Sequence, residues 1–226
     1  MLKNLLNLLF PKSCMGCTVI LLAQEEWLCT SCRVALPFTN QHLKAPNEAL
    51  GKFYGKVKIQ QASCLLYYTK NGIVAHLLHQ LKYNHQPRLS FFLGEMYAEL
   101  LAQDRVYPSV DFLVPVPLHR KKQRQRGYNQ VDGFAQALAE RFQIPINKKI
   151  LLKNKPTASQ TTKSFRERIQ SKPAVFQLQP SPDYNGKHFL LLDDILTTGS
   201  TLETCARLLL QIPESKVSIL CLAYTK

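Results

Sequence analysis

The chain has 226 residues, enough for one full α/β domain and a small accessory module, and 46% of them are hydrophobic, enough for a globular core. Its 29 Lys and Arg against 15 Asp and Glu leave a net charge of +14, a field that draws phosphorylated substrates, nucleic acid or an anionic membrane surface, or simply keeps the surface soluble. Two classes are excluded: no apolar run approaches the ~18–20 residues of a membrane span, and seven cysteines, three of them alone in apolar runs, are not a secreted disulfide framework.

In chain order, Met1 to Phe10 is leucine-rich but broken by Lys3, Asn4 and Asn7 and ended by Pro11. Without a small-residue cleavage site it reads as a short amphipathic helix packed on its own protein, and the chain as cytoplasmic. Next come Cys14-x-x-Cys17 and Cys29-x-x-Cys32, eleven residues apart. Two such knuckles suit a structural, tetrahedral zinc held by four thiolates; disulfides are the alternative and fit a cytosolic chain poorly. Cys64, Cys205 and Cys221 read as small buried hydrophobes, and His76, His79 and His85 as structural or surface residues rather than a second metal site. The expected division is a zinc module over 1–45 and a larger domain over 46–226, with the polar stretch Thr39 to Lys58 as a connector.

After the connector the pattern alternates. Ala62 to Thr69 reads as a strand and Asn71 to Lys82 as a helix with Ile73, Val74, Leu77, Leu78 and Leu81 on one face. Ser90 is the expected N-cap of a helix to Leu101. Asp111 to Val116 is a short buried strand, Asn129 to Phe142 a helix with one apolar stripe, His188 to Leu192 a strand, Ser200 to Gln211 a helix and Lys216 to Tyr224 a last strand. Strands alternating with helices predict an α/β fold, a mostly parallel sheet covered on both faces. Lys148 to Lys172, basic and weakly periodic, reads as a long mobile loop.

Leu190 to Thr201 (LLLDDILTTGST) carries the strongest chemical signal. Its apolar start buries a central strand, and ligands sit beyond the carboxyl ends of such strands. Asp193 and Asp194 can accept hydrogen bonds from vicinal ribose hydroxyls. Thr197, Thr198, Gly199, Ser200 and Thr201 turn into a helix whose free amides and dipole suit a phosphate dianion, with Gly199 permitting close approach. An ordinary strand end with a Ser or Thr cap needs only one hydroxyl, and a Walker loop would need Gly-Lys-Ser/Thr. Upstream, Val114-Pro115-Val116-Pro117-Leu118-His119-Arg120 leaves a strand sharply beside five cations, Arg120, Lys121, Lys122, Arg124 and Arg126. These can grip phosphate oxygens or form a solvated charge run. Tyr128 can stack on a base or simply pack. Lys155, Arg166 and Arg168 fall in the basic loop, which reads as a lid over a polyanion.

The loop at Asp193-Asp194 resembles the signature of type I phosphoribosyltransferases. The ordered set of cysteine knuckles, Val114 to Leu118, Arg126-Gly127-Tyr128-Asn129-Gln130, the Lys155 to Arg168 segment and the acid pair resembles the ComF family (GntX-like, competence protein F) over nearly the whole chain. The resemblance implies a zinc finger joined to a type I phosphoribosyltransferase-like domain that binds phosphoribosyl pyrophosphate with Mg²⁺. Asp193 and Asp194 would sit at the ribose, Thr197 to Thr201 at the 5-phosphate, and Val116, Pro117, His119 and Arg120 at the pyrophosphate. It further implies a part in DNA uptake during natural transformation, with single-stranded DNA and proteins of the uptake machinery as partners and Lys121, Lys122, Arg124, Arg126, Tyr128, Lys155, Arg166 and Arg168 as lid or DNA contacts. Two readings stand side by side: a phosphoribosyltransferase of unknown acceptor, and a non-catalytic single-stranded DNA-binding protein with a ligand-sensing or vestigial pocket. The chain departs from the family's pattern at Asn84-His85-Gln86-Pro87 and at Lys155.

Overall fold

The computed structural model describes residues 11–83, 86–106, 109–153 and 175–226, and for Arg120 and Lys121 the backbone. Four strands, β1 (Ala62–Tyr68), β2 (Phe112–Pro115), β5 (His188–Leu196) and β6 (Lys216–Thr225), form a parallel sheet in the order β1-β6-β5-β2. Helices follow the strands: α3 (Ile73–Tyr83) and α4 (Pro87–Gln103) after β1, α5 (Arg120–Arg126) and α6 (Asp132–Phe142) after β2, and α7 (Ser200–Leu209) after β5. Ahead of β1 lie two short helices, α1 (Thr30–Val34) and α2 (Glu48–Gly51). A separate antiparallel ribbon pairs β3 (Leu151–Lys153) with β4 (Phe176–Leu178).

Helices on both faces explain why β5 and β6 read as unbroken apolar runs rather than alternating ones. One cluster packs Leu190, Leu192, Leu220 and Leu222 against α3, α4 and α6; the other packs Phe189, Leu191, Val217 and Ile219 against α7. The α4–α6 contact is close enough that a Cβ on Gly94 would lie 2.8 Å from Ala137 Cβ, so glycine is required there. Residues 37–41 cover the outer edge of β1: Thr39 N–H donates to Leu65 O (3.0 Å), Tyr67 N–H to Pro37 O (2.8 Å) and Cys64 N–H to Gln41 Oε1 (3.1 Å). This leaves the sheet edge without a free hydrogen-bonding row to recruit another chain. Cys14, Leu28, Cys29, Cys32 and Leu36 belong to the same apolar cluster as α3 and α4, so the cysteine segment packs on the sheet's core.

Several expectations change in detail. Ser90 is not a cap: α4 begins at Pro87, and Ser90 is buried inside it. Its Oγ donates to Gln130 O (2.5 Å) and accepts from Phe134 N–H (3.0 Å), serving the start of α6 instead. The connector holds a 3₁₀ turn at Gln41–Leu43 and α2, whose Asn47 cap accepts from Leu50 N–H (2.9 Å). The cationic run 120–126 is a helix, and β5 continues through both acids to Leu196 rather than stopping at Leu192. The expected loop over 148–172 contains β3. Residues 154–172, with Lys155, Arg166 and Arg168, lie outside the described residues, as do the Met1 to Phe10 segment and His85.

Candidate functional site

The carboxyl end of β5 collects the predicted chemistry. Alternation along the strand puts Asp193 on the face of Leu191 and Asp194 on the face of Leu190 and Leu192. The acids are thus neighbours at one strand end whose side chains leave by opposite faces. Asp194 is buried at 5% exposure, and its Oδ2 accepts from both Lys82 Nζ and Gln130 Nε2, each at 3.0 Å. Asp193 is half-buried, and its Oδ1 accepts the backbone N–H of Asp194 at 2.9 Å. Burial first, and the charge of Asp194 second, push its carboxyl up to about 7, against the opposing pull of Lys82 and Lys153.

Beyond the acids the chain turns at Thr197 and Thr198, both exposed, and enters α7 with Ser200 and Thr201 exposed at its start. Gly199 between them has φ +80°, and a Cβ there would lie 3.2 Å from Phe53 Cε1, so the aromatic floor and the backbone both demand glycine. The first amides of a helix have no intrahelical partner and point out of its end. An open turn with four hydroxyl-bearing residues flanking such amides can accept a dianion.

The neighbouring strand brings the second turn alongside. β2 pairs with β5 from Phe112↔Phe189 to Pro115↔Leu192, and Val116 N–H donates to Leu192 O (2.9 Å). Val116 is buried while Pro117 and His119 are half-buried, so the exit turn lies beside the acid pair with α5 directly after it. On α5, Lys122 and Arg124 are exposed, and Arg126 lies 5.5 Å over the Tyr83 ring. The next residues form an internal brace. Arg126 Nη1 donates to Gln130 Oε1 (2.8 Å), Tyr128 Oη to Leu81 O (2.6 Å) and Asn129 Nδ2 to Val116 O (3.0 Å). Tyr128, half-buried, is thus tied to the end of α3. The sequence reading left Lys82 and Gln130 out of the site and had Lys153 only at the start of the expected lid. Gln130 was visible as the last residue of the Arg126–Gln130 run, whereas nothing local marks Lys82.

A cavity of about 380 Å³ lies beside the exit turn, between Pro117, Leu118, Asn129, Lys148 and Lys153. A larger one, about 550 Å³, opens at the other end of the strands among Ser63, His188 and Ser218, away from the acids. Size does not mark the site here; the convergence of charge and free amides does.

The four knuckle cysteines meet. Their sulfurs lie within 4.8 Å of one another, and Cys17 Sγ is 3.7 Å from Cys29 Sγ. A tetrahedron with Zn–S near 2.3 Å has an edge of about 3.8 Å, so the set fits zinc. Among the described residues this is the one His/Cys/Asp/Glu cluster of three or more with metal-ligating geometry. Burial acts against ionising Cys14, but amides of Cys29, Gly16 and Cys17 outweigh it and bring the thiol down to about 7. Burial drives Cys32 the other way, well above a normal thiol. Asp193 and Asp194 present hard oxygen donors beside a phosphate-type turn, which fits Mg²⁺ arriving with a polyphosphate.

Sequence comparison places this site among known proteins. The chain is 30% identical over 152 residues to the DNA utilization protein YhgH of Escherichia coli K12, a match spanning 66% of each chain. It is 34% identical over 112 residues to competence protein F of Haemophilus influenzae, 49% of each chain, and 30% identical over 145 residues to competence protein ComFC of Bacillus subtilis, 64% of this chain and 56% of that one. The chain belongs to the ComF family. The family model of the phosphoribosyl transferase domain matches residues 133–226, which hold the acid pair and the turn after it. Among solved structures, glutamine phosphoribosylpyrophosphate amidotransferase from B. subtilis is 18% identical over 63% of this chain and 30% of that one, with a TM-score of 0.43. A likeness of that size adds nothing to the fold described above. The ComF assignment, the parallel sheet and the four-cysteine cluster agree with what the sequence implied. No helix among the described residues is long and apolar enough to cross a membrane.

Proposed function

We propose that this ComF-family chain binds phosphoribosyl pyrophosphate with Mg²⁺ at the carboxyl end of β5, as a phosphoribosyltransferase of unknown acceptor, and serves DNA uptake during natural transformation. The observation carrying the reading is the exposed Thr197–Thr201 turn following two acids at a strand end, with the exit turn of β2 hydrogen-bonded beside it. The amides and hydroxyls of that turn would hold the 5-phosphate. Asp194, fixed by Lys82 and Gln130, would accept a hydrogen bond from a ribose hydroxyl; Asp193 would do so once ionised. The turn at Val116 to Arg120 would face the pyrophosphate. Bound with the pyrophosphate, Mg²⁺ supplies neutralisation of the charge that builds as the group departs. The protein's share is positional and electrostatic.

The cysteine cluster would carry structural zinc. The exposed cations of α5 would lie against single-stranded DNA, for which the names of the relatives, DNA utilization and competence, give the context. Proteins of the uptake machinery and a cytoplasmic location complete the proposal. The second reading, a protein that senses the sugar phosphate without consuming it, is favoured by one fact: Asp194 already has two internal partners.

Calorimetric titration of the zinc-loaded chain with phosphoribosyl pyrophosphate and Mg²⁺, followed by product analysis, tests both. Saturable binding that Asp194→Asn weakens by about tenfold, with the fold intact, is expected from loss of a charged hydrogen-bond acceptor. No binding would overturn the assignment. Binding with release of pyrophosphate in the presence of an acceptor marks the enzyme; binding without turnover, alongside salt-sensitive DNA binding, marks the sensor.

A further inference from the structure

Asp194 is the most buried acid at the site, yet it is not waiting for a cation. Lys82, on the last turn of α3, places Nζ 3.0 Å from its Oδ2, with the two side chains only 24% and 7% exposed. Gln130 Nε2 binds the same oxygen at 3.0 Å, and Arg126 fixes Gln130 in turn. Tyr128 Oη, bonded to Leu81 O, ties down the backbone next to Lys82. Both donors converge on one carboxylate oxygen, Oδ2. On the other face of the strand, Lys153 acts on Asp193 as a second positive charge. The buried carboxylate of the pair is thus already matched by an ammonium group. A free Mg²⁺ or Mn²⁺ sheds water reluctantly and needs uncompensated carboxylate charge to do so.

We propose that Lys82 is a built-in counter-ion that orients Asp194 as a hydrogen-bond acceptor for a sugar hydroxyl and prevents the acid pair from holding a divalent cation by itself, so that the metal enters only as a complex with the polyphosphate ligand. This rests on the sugar-phosphate reading above, and makes Lys82 a positioning residue of that site. An ammonium fixed by α3 costs nothing to recruit and cannot be exchanged by the ion pool. The acids stay ready for the charged ligand and closed to bare ions.

The test is a titration of the full, zinc-loaded chain with Mn²⁺ alone, read from the electron paramagnetic resonance signal of the free ion. Wild type and Lys82→Arg are expected to show only weak, unsaturating binding. Lys82→Met, and Lys82→Gln as a second variant, are expected to bind Mn²⁺ at least about tenfold more tightly, because removing a charge this close is worth more than that factor even when partly screened. Adding Asp194→Asn to Lys82→Met should abolish the gain. Far-ultraviolet circular dichroism checks that each variant is folded. If neither neutral variant binds Mn²⁺ more tightly than wild type, the counter-ion role is wrong. Tighter Mn²⁺ binding by Lys82→Met that persists when Asp194→Asn is added would place the ion elsewhere and also overturn it. Failure of the underlying reading looks different: wild type would then bind no phosphoribosyl pyrophosphate with Mg²⁺, whatever Mn²⁺ does.

Discussion

The cysteine segment and the sheet are held together by different physics. In the sheet, Leu191, Leu192, Val217 and Cys221 are fully buried between two layers of helices, and apolar burial carries the structure. In the cysteine segment the one helix has five residues, and Val19, Ile20, Leu22 and Val34 are exposed at 52–81%. What it buries is chiefly three of its four cysteines and Leu28, pressed onto the sheet's own cluster. A segment so poor in core needs its ligand, whereas the sheet can leave strained or charged groups at one edge and remain folded. The contrast teaches where the chain can accommodate function.

Breaking the ligand set should have the largest effect. Structural zinc contributes on the order of 10 kcal/mol to a small site, so Cys29→Ser is expected to lose the metal and unfold the segment around residues 11–36 while the sheet persists. Metal content with amide spectra checks this; full zinc and an unchanged spectrum would refute the four-thiolate site. Next comes Gly199→Ala. An alanine at φ +80° costs about 1–2 kcal/mol and presses on Phe53, so melting should fall by several degrees and sugar-phosphate affinity with it. An unchanged melting curve would mean that the turn relaxes freely.

The smallest effect sharpens the comparison most. Asp193, pushed up to about 7, holds its proton more tightly folded than in the unfolded chain, where an aspartic acid titrates near 3.9. Its ionisation therefore costs stability progressively between about pH 4 and about pH 7 and by a constant amount above. Asp193→Asn should melt higher than wild type, with a margin that grows from about pH 4 to about pH 7 and is constant above. A margin flat in pH would show the carboxyl to be ordinary. The same ionisation predicts that affinity for the sugar phosphate with Mg²⁺ rises over this range.

Much of the sheet was legible because it is built from local patterns. β1, α3, β2 and β6 announce themselves by unbroken or 3.6-residue apolar periodicity, and their ends fall within a few residues of the expected ones. The acid pair and turn were legible as chemistry, since hydroxyls and carboxylates gathered after an apolar run have few other uses. Ser90 was misread because a serine near a helix start looks like a cap; only the α4–α6 packing reveals that it serves the other helix. Lys82 left no sign, since its partner lies two strands later and no spacing rule connects them. The brace that Arg126, Tyr128, Asn129 and Gln130 make was not legible either, because its partners, Leu81, Val116 and Asp194, are distant in the chain.

None of the seven cysteines is in a disulfide: four form the cluster, Cys64 and Cys221 lie in strands and Cys205 in α7, and Cys17 alone is exposed. The protein accordingly carries its own optical gauge. A colour-forming thiol reagent should meet Cys17 first and the others only as the structure around them opens. Adding a chelator should then release the three remaining cluster thiols in one burst, with Cys64, Cys205 and Cys221 following at the slower pace of the domain's unfolding.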